Sequence, residues 1–287
     1  MKNIPIRQIN IAQQKTALTG KFSIRAIKDL FIGSEMTQEL HRHDFYYILA
    51  LEKGIGSHEI DFKSYSVEDK TVFFLRPGQV HKLSLKAGSS GYLIAFNTNF
   101  YFPLEKVSTQ LLRKTSNINH RQFDANQYKK IAIVLKYMYQ EFTDQHEDYL
   151  EVIKANLGIF FIELARQNVN SKKYLDSNNS YAQERLDDFL ALLETHIASY
   201  KQVSQYADML HLSAYQLNAI TKTTLNKTCS ALINDYIILE AKRYLLATTN
   251  QINQIALQLG YEDASYFIRF FKKHTGYSPE AFRKNYK

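Results

Sequence analysis

The sequence predicts an α+β protein of two domains: an antiparallel β-barrel or sandwich extended by helices, then an all-α domain with two helix-turn-helix units joined by a long helix. Three observations predict it. A length of 287 residues exceeds what one ordinary core supports. Short β-rich runs crowd the front of the chain without helical periods between them. The last third contains an internal repeat at helical spacing.

The composition is that of a globular chain, 45% hydrophobic with 20 Tyr and 18 Phe. No apolar run approaches the roughly 20 residues a membrane helix needs. The first fifteen residues mix Lys, Arg, Asn and Gln where a signal peptide would be apolar. The expectation is a cytoplasmic protein without membrane contact. A single cysteine, Cys229, excludes an internal disulfide and any zinc site built on paired thiolates. The net charge of +8 invites a nucleic-acid partner. From Leu186 onward, however, eleven Lys and Arg face nine Asp and Glu, only +2. DNA binding therefore has to be argued from motif geometry.

In chain order, the runs FSIRAI from Phe22, FYYILAL from Phe45, TVFFL from Thr71, HKLSL from His81 and YLIAF from Tyr92 read as strands. Turns fall at Gly54 to Gly56, Pro77-Gly78 and Gly88 to Gly91. From Asp124 the period changes. Tyr128, Ile131, Leu135, Met138, Tyr139 and Phe142 recur at helical spacing, and Ile153, Leu157, Phe160, Phe161 and Leu164 do so again. These stripes exceed what packing on a small barrel requires and predict a homodimer with Leu135 and Met138 in the interface. The stretch 168–184 is polar, rich in Ser and Asn, and has neither period, which predicts a linker. The expected organisation is a β-rich domain at 1–120, a helical dimerisation region at 121–168, a linker at 169–185 and a helical domain at 186–287.

The repeat appears when VSQYADMLHLSAYQLNAITK is laid over INQIALQLGYEDASYFIRFFK, predicting helix-turn-helix units at about 203–224 and 252–274. Ala207 and Ala256 are the small residues where two helices cross. His211 and Gly260 stand at the turns, the second turn being one residue longer, and Gly260 supplies the positive φ of a sharp turn. Ser213 and Asp263 are N-caps of the second helices. With Leu217, Ile220, Phe267 and Phe270 inward, the opposite face carries Ala214, Tyr215, Asn218, Ala219 and Lys222 in the first unit. In the second it carries Ala264, Ser265, Ile268, Arg269 and Lys272. Short residues near the N-terminus allow close approach to base edges, Asn and Arg offer bidentate readout of adenine and guanine, and lysines suit phosphates. Tyr215 and Ile268 suit thymine methyl groups. Between the units, 231–247 reads as a helix of roughly 25 Å, of the order of the 34 Å between successive major grooves. A closing helix starting at Ser278-Pro279 leaves Arg283, Lys284 and Lys287 near the DNA backbone.

Helical periodicity alone would also fit a plain bundle; a duplicated unit with small residue, turn and cap in register favours DNA binding. The run Ile252, Ile255, Ala256, Gly260, Tyr261, Asp263, Ser265, Tyr266, Phe267, Arg269, Phe271, Lys272, Lys273, Gly276, Ser278, Pro279, Phe282 and Arg283 resembles the signature of AraC/XylS-type transcription regulators. The resemblance covers Leu186 to Lys287 strongly. It covers the front domain more loosely, through HRHDFYYILALEKGIG and PGQVH, which look like a cupin sensor. Where the family often ends the first recognition helix on a Gly-Lys-Ser type turn, this chain has Leu225-Asn226-Lys227-Thr228, and Asn226 can adopt the same left-handed conformation. The resemblance implies a cupin-like barrel sensing a small organic effector, a homodimer, and activation or repression at a promoter with RNA polymerase as a further partner. It also extends the DNA-binding face to Lys273.

In the front domain, His41-x-His43 and His81 resemble the spacing by which cupins place metal ligands. Strand alternation puts His41, His43, Phe45 and Tyr47 on one face. Metal-binding cupins carry a Glu about four residues beyond the second His, and here that neighbourhood is Tyr46-Tyr47-Ile48. The aromatic favours an organic effector held by His41, His43, Phe45, Tyr47, His81 and Tyr92, with no cofactor. A three-histidine metal site, for sensing or catalysis, and a structural histidine cluster stay open. No enzyme is expected: Cys229 as an alkyl-accepting thiol lacks a reactive motif, and neither a phosphate loop nor a nucleophile motif is present.

Overall fold

A computed structural model of the chain describes residues 6–7, 22–31, 35–97, 100–101, 106–170 and 177–286. The described residues fall into two compact units, up to 170 and from 177. Lys287 lies outside the described residues.

The first unit is a β-sandwich with helices on one outer face. Its strands are β1 Ile6–Arg7, β2 Phe22–Ala26, β3 Glu35–His43, β4 Tyr46–Lys53, β5 Gly56–Ile60, β6 Lys63–Val67, β7 Thr71–Leu75, β8 Val80–Lys86, β9 Ser90–Phe96 and β10 His120–Gln122. Among the described residues they form two five-stranded sheets, ordered β1-β3-β8-β5-β6 and β10-β7-β4-β9-β2. Every pairing is antiparallel except β1 with β3. All five strands expected from β-rich runs form. The others alternate polar with apolar: β3 buries Met36, His41 and His43 while Glu35, Thr37 and Glu39 stay exposed.

The second sheet is covered on both faces, and alternation decides which residue meets which core. Tyr47, Leu49 and Leu51 of β4 with Phe73 and Leu75 of β7 point between the sheets and meet Leu83 and Leu85 of β8. Tyr46, Ile48 and Ala50 with Val72 and Phe74 point the other way, toward α1 Lys106–Ser116, α2 Ala125–Asp144 and α3 Tyr149–Asn170. Asp124 starts α2 by a reciprocal capping box with Gln127. Leu135 and Met138 are fully buried here, in a core shared with Phe22, Phe74 and Phe161. The stripe is consumed within one chain, since the barrel offers a whole sheet face to cover. Leu135 and Met138 therefore do not form an intermolecular interface. Among the described residues, the large apolar side chains that α2 and α3 leave outside are Ile133, Tyr137, Ile159 and Ile162.

The second unit is all helical: α4 Ser177–His196, α5 Val203–Met209, α6 Ala214–Leu225, α7 Cys229–Ala247, α8 Ile252–Gln258, α9 Ala264–Thr275 and α10 Pro279–Asn285. The part of the expected linker from Ser177 to Arg185 is helical, as the first turns of α4. Its apolar stripe begins only at Leu186 and runs through Phe189 and Leu193, so the polar opening turns carry no detectable period. Phe189 meets Tyr206 of α5 edge-on at 5.5 Å. Arg283 does not face outward: its Nε donates to Leu245 O at 3.0 Å and its Nη2 to Asn250 O at 2.6 Å, tying α10 to the exit of α7. Lys284 is exposed. Among the described residues no helix is long and apolar enough to cross a membrane.

Candidate functional site

The two helix-turn-helix units share one geometry built from different residues. In the first, the Leu212 N–H returns to Ala207 O at 2.9 Å and His211 holds φ 54°. In the second, the Tyr261 N–H returns to Ala256 O at 2.9 Å and Gly260 holds φ 74°. A Cβ on Gly260 would stand 1.7 Å from Ala198 O, so this turn needs glycine for space as well as for φ. Ser213 caps α6 in a capping box with Gln216, and Asp263 caps α9 by accepting from the Ser265 N–H at 2.7 Å. The parallel extends past the recognition helices. Asn226 and Gly276 end them in the left-handed conformation, and Thr228 and Ser278 cap the helices that follow.

With Leu217, Phe267 and Phe271 buried, α6 exposes Ala214, Tyr215, Ala219 and Lys222, Tyr215 at 84%. In the second unit α9 exposes Ser265, Ile268, Arg269, Lys272 and Lys273, with Ala264 half-buried. The Arg269 guanidinium stands 4.0 Å from the Asp263 carboxylate, both well exposed, a pair worth at most about 1 kcal/mol that leaves the fork reachable. Asn218 has a different task from the base reading expected of it. Its Nδ2 donates to Ala214 O at 3.0 Å and its Oδ1 accepts from the Cys229 N–H at 2.9 Å, so it holds the start of α7. Ser213 is likewise occupied as a cap.

The other candidate site is a histidine chamber between the sheets. His41 on β3 and His81 on β8 are register partners, and His43 follows His41 by one alternation on the same face. His43 Nε2 stands 3.1 Å from His41 Nε2 and 2.9 Å from His81 Nε2. Tyr47 stacks on His43 at 5.1 Å and Phe45 tilts against it at 4.3 Å. The four residues from His41 to Tyr47 do not share one strand: β3 ends at His43, the chain bends at Asp44-Phe45, and β4 begins in the opposite sheet. All four still reach the chamber because the bend returns the chain against it.

Tyr92 does not. It neighbours Tyr139 of α2 at 5.3 Å, on the helical side of the sheet, because β9 turns Leu93 and Ala95 inward instead. The residue missed in the sequence is His58, whose Nε2 lies 2.9 Å from His81 Nδ1. The alternation that turns Ile60 inward turns His58 inward as well. Burial, followed by the nearby His41 and His120 rings, pushes its pKa down to about 3, so it is neutral. The three Nε2-bearing rings of His41, His43 and His81 each offer a ligand atom within 4.8 Å of the others, an arrangement that could hold a metal ion. Cys229 offers no chemistry. Its thiol is fully buried, and burial pushes its pKa to about 12.

A duplicated, capped helix-turn-helix unit with exposed recognition faces, in a chain that also encloses a polar chamber in a barrel, defines a ligand-binding, DNA-binding regulator. Family models agree with both halves. The AraC-like ligand binding domain matches residues 24–148 and the Helix-turn-helix domain matches residues 206–285. Curated relatives include the HTH-type transcriptional activator RhaS of Escherichia fergusonii, 24% identical over 248 residues that cover 85% of this chain and 87% of that protein. RhaS of Escherichia coli O6:H1 is 24% identical over 244 residues, with the same coverage. Among solved structures, the C-terminal domain of the response regulator yesN of Fusobacterium nucleatum is 25% identical, covering 35% of this chain and 98% of that one, with a TM-score of 0.33. ToxT of Vibrio cholerae is 15% identical, covering 92% and 98%, with a TM-score of 0.45. The chain belongs to the AraC family of transcription regulators: it binds DNA through its helix-turn-helix domain and carries an AraC-like ligand-binding domain.

Proposed function

We propose that the protein activates transcription by placing α6 and α9 in successive major grooves of a promoter site, under control of a small polar effector bound in the chamber. The observation that carries the reading is the repeat itself: two capped recognition helices, each with small residues at its N-terminal end and cations toward its C-terminal end, joined by α7. Tyr215, Ala219, Ser265, Ile268 and Arg269 face base edges. Lys222, Lys272 and Lys273 meet phosphates, and Ala214 and Ala264 permit the approach. The naming of RhaS proteins as activators supports activation over repression. RNA polymerase is the partner that activation requires, and the cytoplasm is where it acts. Sequencing of DNA retained by the full-length protein from a random library tests the reading. Two preferred blocks about one helical turn apart are expected; a single block or no preference would refute it.

His41, His43, His58, Phe45, Tyr47 and His81 form the effector site in this reading, supported by a polar cluster enclosed in an otherwise apolar sandwich. The protein works as a homodimer whose interface uses the outward side chains Ile133, Tyr137, Ile159 and Ile162. Sedimentation of the full chain should show a dimer at micromolar concentration, with Ile133→Glu/Ile159→Glu shifting it to monomer. A monomeric parent protein would end this part of the proposal.

A further inference from the structure

The chamber's two contacts between ring nitrogens have hydrogen-bond lengths, 3.1 and 2.9 Å, but no single set of protons serves both. His41 Nδ1 lies 2.6 Å from Glu39 O, a carbonyl that can only accept, so the neutral His41 ring carries its proton on Nδ1 and turns a bare Nε2 lone pair inward. The His41–His43 contact at 3.1 Å then needs a proton on His43 Nε2. The His43–His81 contact at 2.9 Å needs one as well, and a single N–H cannot point along both. Giving the proton to His81 Nε2 satisfies that contact and leaves the His41 and His43 lone pairs facing each other. No assignment of neutral rings serves both contacts.

A cation at the point of convergence removes the conflict, because it needs all three lone pairs directed inward. At a metal–nitrogen distance of about 2.0–2.1 Å, two ligand nitrogens stand about 2.9 Å apart at a right angle and about 3.3 Å apart at the tetrahedral angle. The two short separations in the chamber match that range. The outer partners of two of the three rings match as well. The far nitrogen of a metal-bound imidazole typically donates to a carbonyl or another acceptor, which fixes the tautomer. His41 Nδ1 has Glu39 O, and His81 Nδ1 has His58 Nε2. Two strands of one sheet hold the three rings, with His41 and His81 directly opposite.

We propose that His41, His43 and His81 bind one divalent first-row transition ion through their Nε2 atoms, with His58 orienting His81 from behind. This rests on reading the chamber as the sensory site, and it names the ligand class there. Imidazole ligands suit Zn²⁺, Cu²⁺, Ni²⁺ and Fe²⁺ over Mg²⁺ and Ca²⁺. Three neutral imidazoles bring no negative charge to the ion, so the remaining coordination position favours hydroxide or an anionic oxygen of the effector. An oxyanion-bearing effector is therefore preferred over an apolar one.

The test uses the full-length protein, stripped with a chelator and dialysed, then titrated with Zn²⁺ alone against a chromophoric competitor. One equivalent should bind per chain. His43→Gln should weaken binding by more than about 100-fold, and His58→Gln by about 10–100-fold, the range for partners behind a ligand. His120→Gln, outside the cluster, should leave it unchanged. Since His43→Gln also alters a buried position, the parent protein loaded with Co²⁺ provides a second readout that needs no variant: the visible bands of nitrogen-ligated, low-coordinate Co²⁺. Absence of stoichiometric Zn²⁺ binding, absence of those bands, or undiminished binding by a folded His43→Gln overturns the proposal. Operator affinity with and without Zn²⁺ separates the two readings. Stoichiometric binding that leaves operator affinity unchanged upholds the ion site and removes the sensory role; no binding, with affinity still shifted by an organic anion, does the reverse.

Discussion

The two helix-turn-helix units perform one geometric task with different chemistry. Both turns require a left-handed residue, and the first uses His211 where the second uses Gly260. The first recognition helix presents one cation, Lys222, beside the large exposed ring of Tyr215. The second presents Arg269, Lys272 and Lys273. At the position where Asn218 holds the start of α7, α9 has the exposed Ile268. The lesson is that duplication preserves the fold while dividing the labour. The second unit has the guanidinium fork and most of the exposed positive charge of the two recognition helices, and the first is more closely tied into the frame.

The sharpest way to break the comparison is at the turns. Gly260→Ala combines a left-handed backbone with a Cβ driven into Ala198 O, and should destabilise the domain by about 3 kcal/mol or more. His211→Gly relieves strain of about 1–2 kcal/mol but loosens the unfolded chain by about 0.5–1 kcal/mol, so stability should change by no more than about 1 kcal/mol. Urea unfolding of the full-length proteins checks both. Equal effects at the two turns would contradict the account.

A smaller effect sharpens the contrast on the recognition helices. Asn218→Ala removes the acceptor for the Cys229 N–H and should cost about 1 kcal/mol of stability while leaving base preference unchanged. Ile268→Ala, at the matching place in α9, should do the reverse, altering preference at one base pair with little loss of stability. Parallel denaturation and binding to single-base site variants distinguish the two. An altered preference profile in Asn218→Ala would return that residue to base reading.

The helix-turn-helix domain was legible because its signals are local: caps at Ser213 and Asp263, small residues at Ala207 and Ala256, and a repeat that keeps them in register. The chamber was legible only in part. His41, His43 and His81 stand in recognisable short motifs, whereas His58 enters only because β5 pairs beside β8, a long-range fact. The sequence does not assign Tyr92 to its observed face, because a strand buried on both sides gives alternation without saying which side is inward. Leu135 and Met138 illustrate the same limit for helices. An apolar stripe says that something covers it, and the sheet of its own chain turned out to be the cover.

The central claim, that α6 and α9 touch DNA with unequal roles, is tested most directly by measuring Arg269→Ala and Lys222→Ala against every single-base variant of the selected site at two salt concentrations. Arg269→Ala should lose about 1–3 kcal/mol on the preferred site and flatten preference at one base pair. Lys222→Ala should weaken all variants alike and reduce the salt slope by about one unit. A uniform loss with an intact preference profile for Arg269→Ala would contradict the division of labour between the two units.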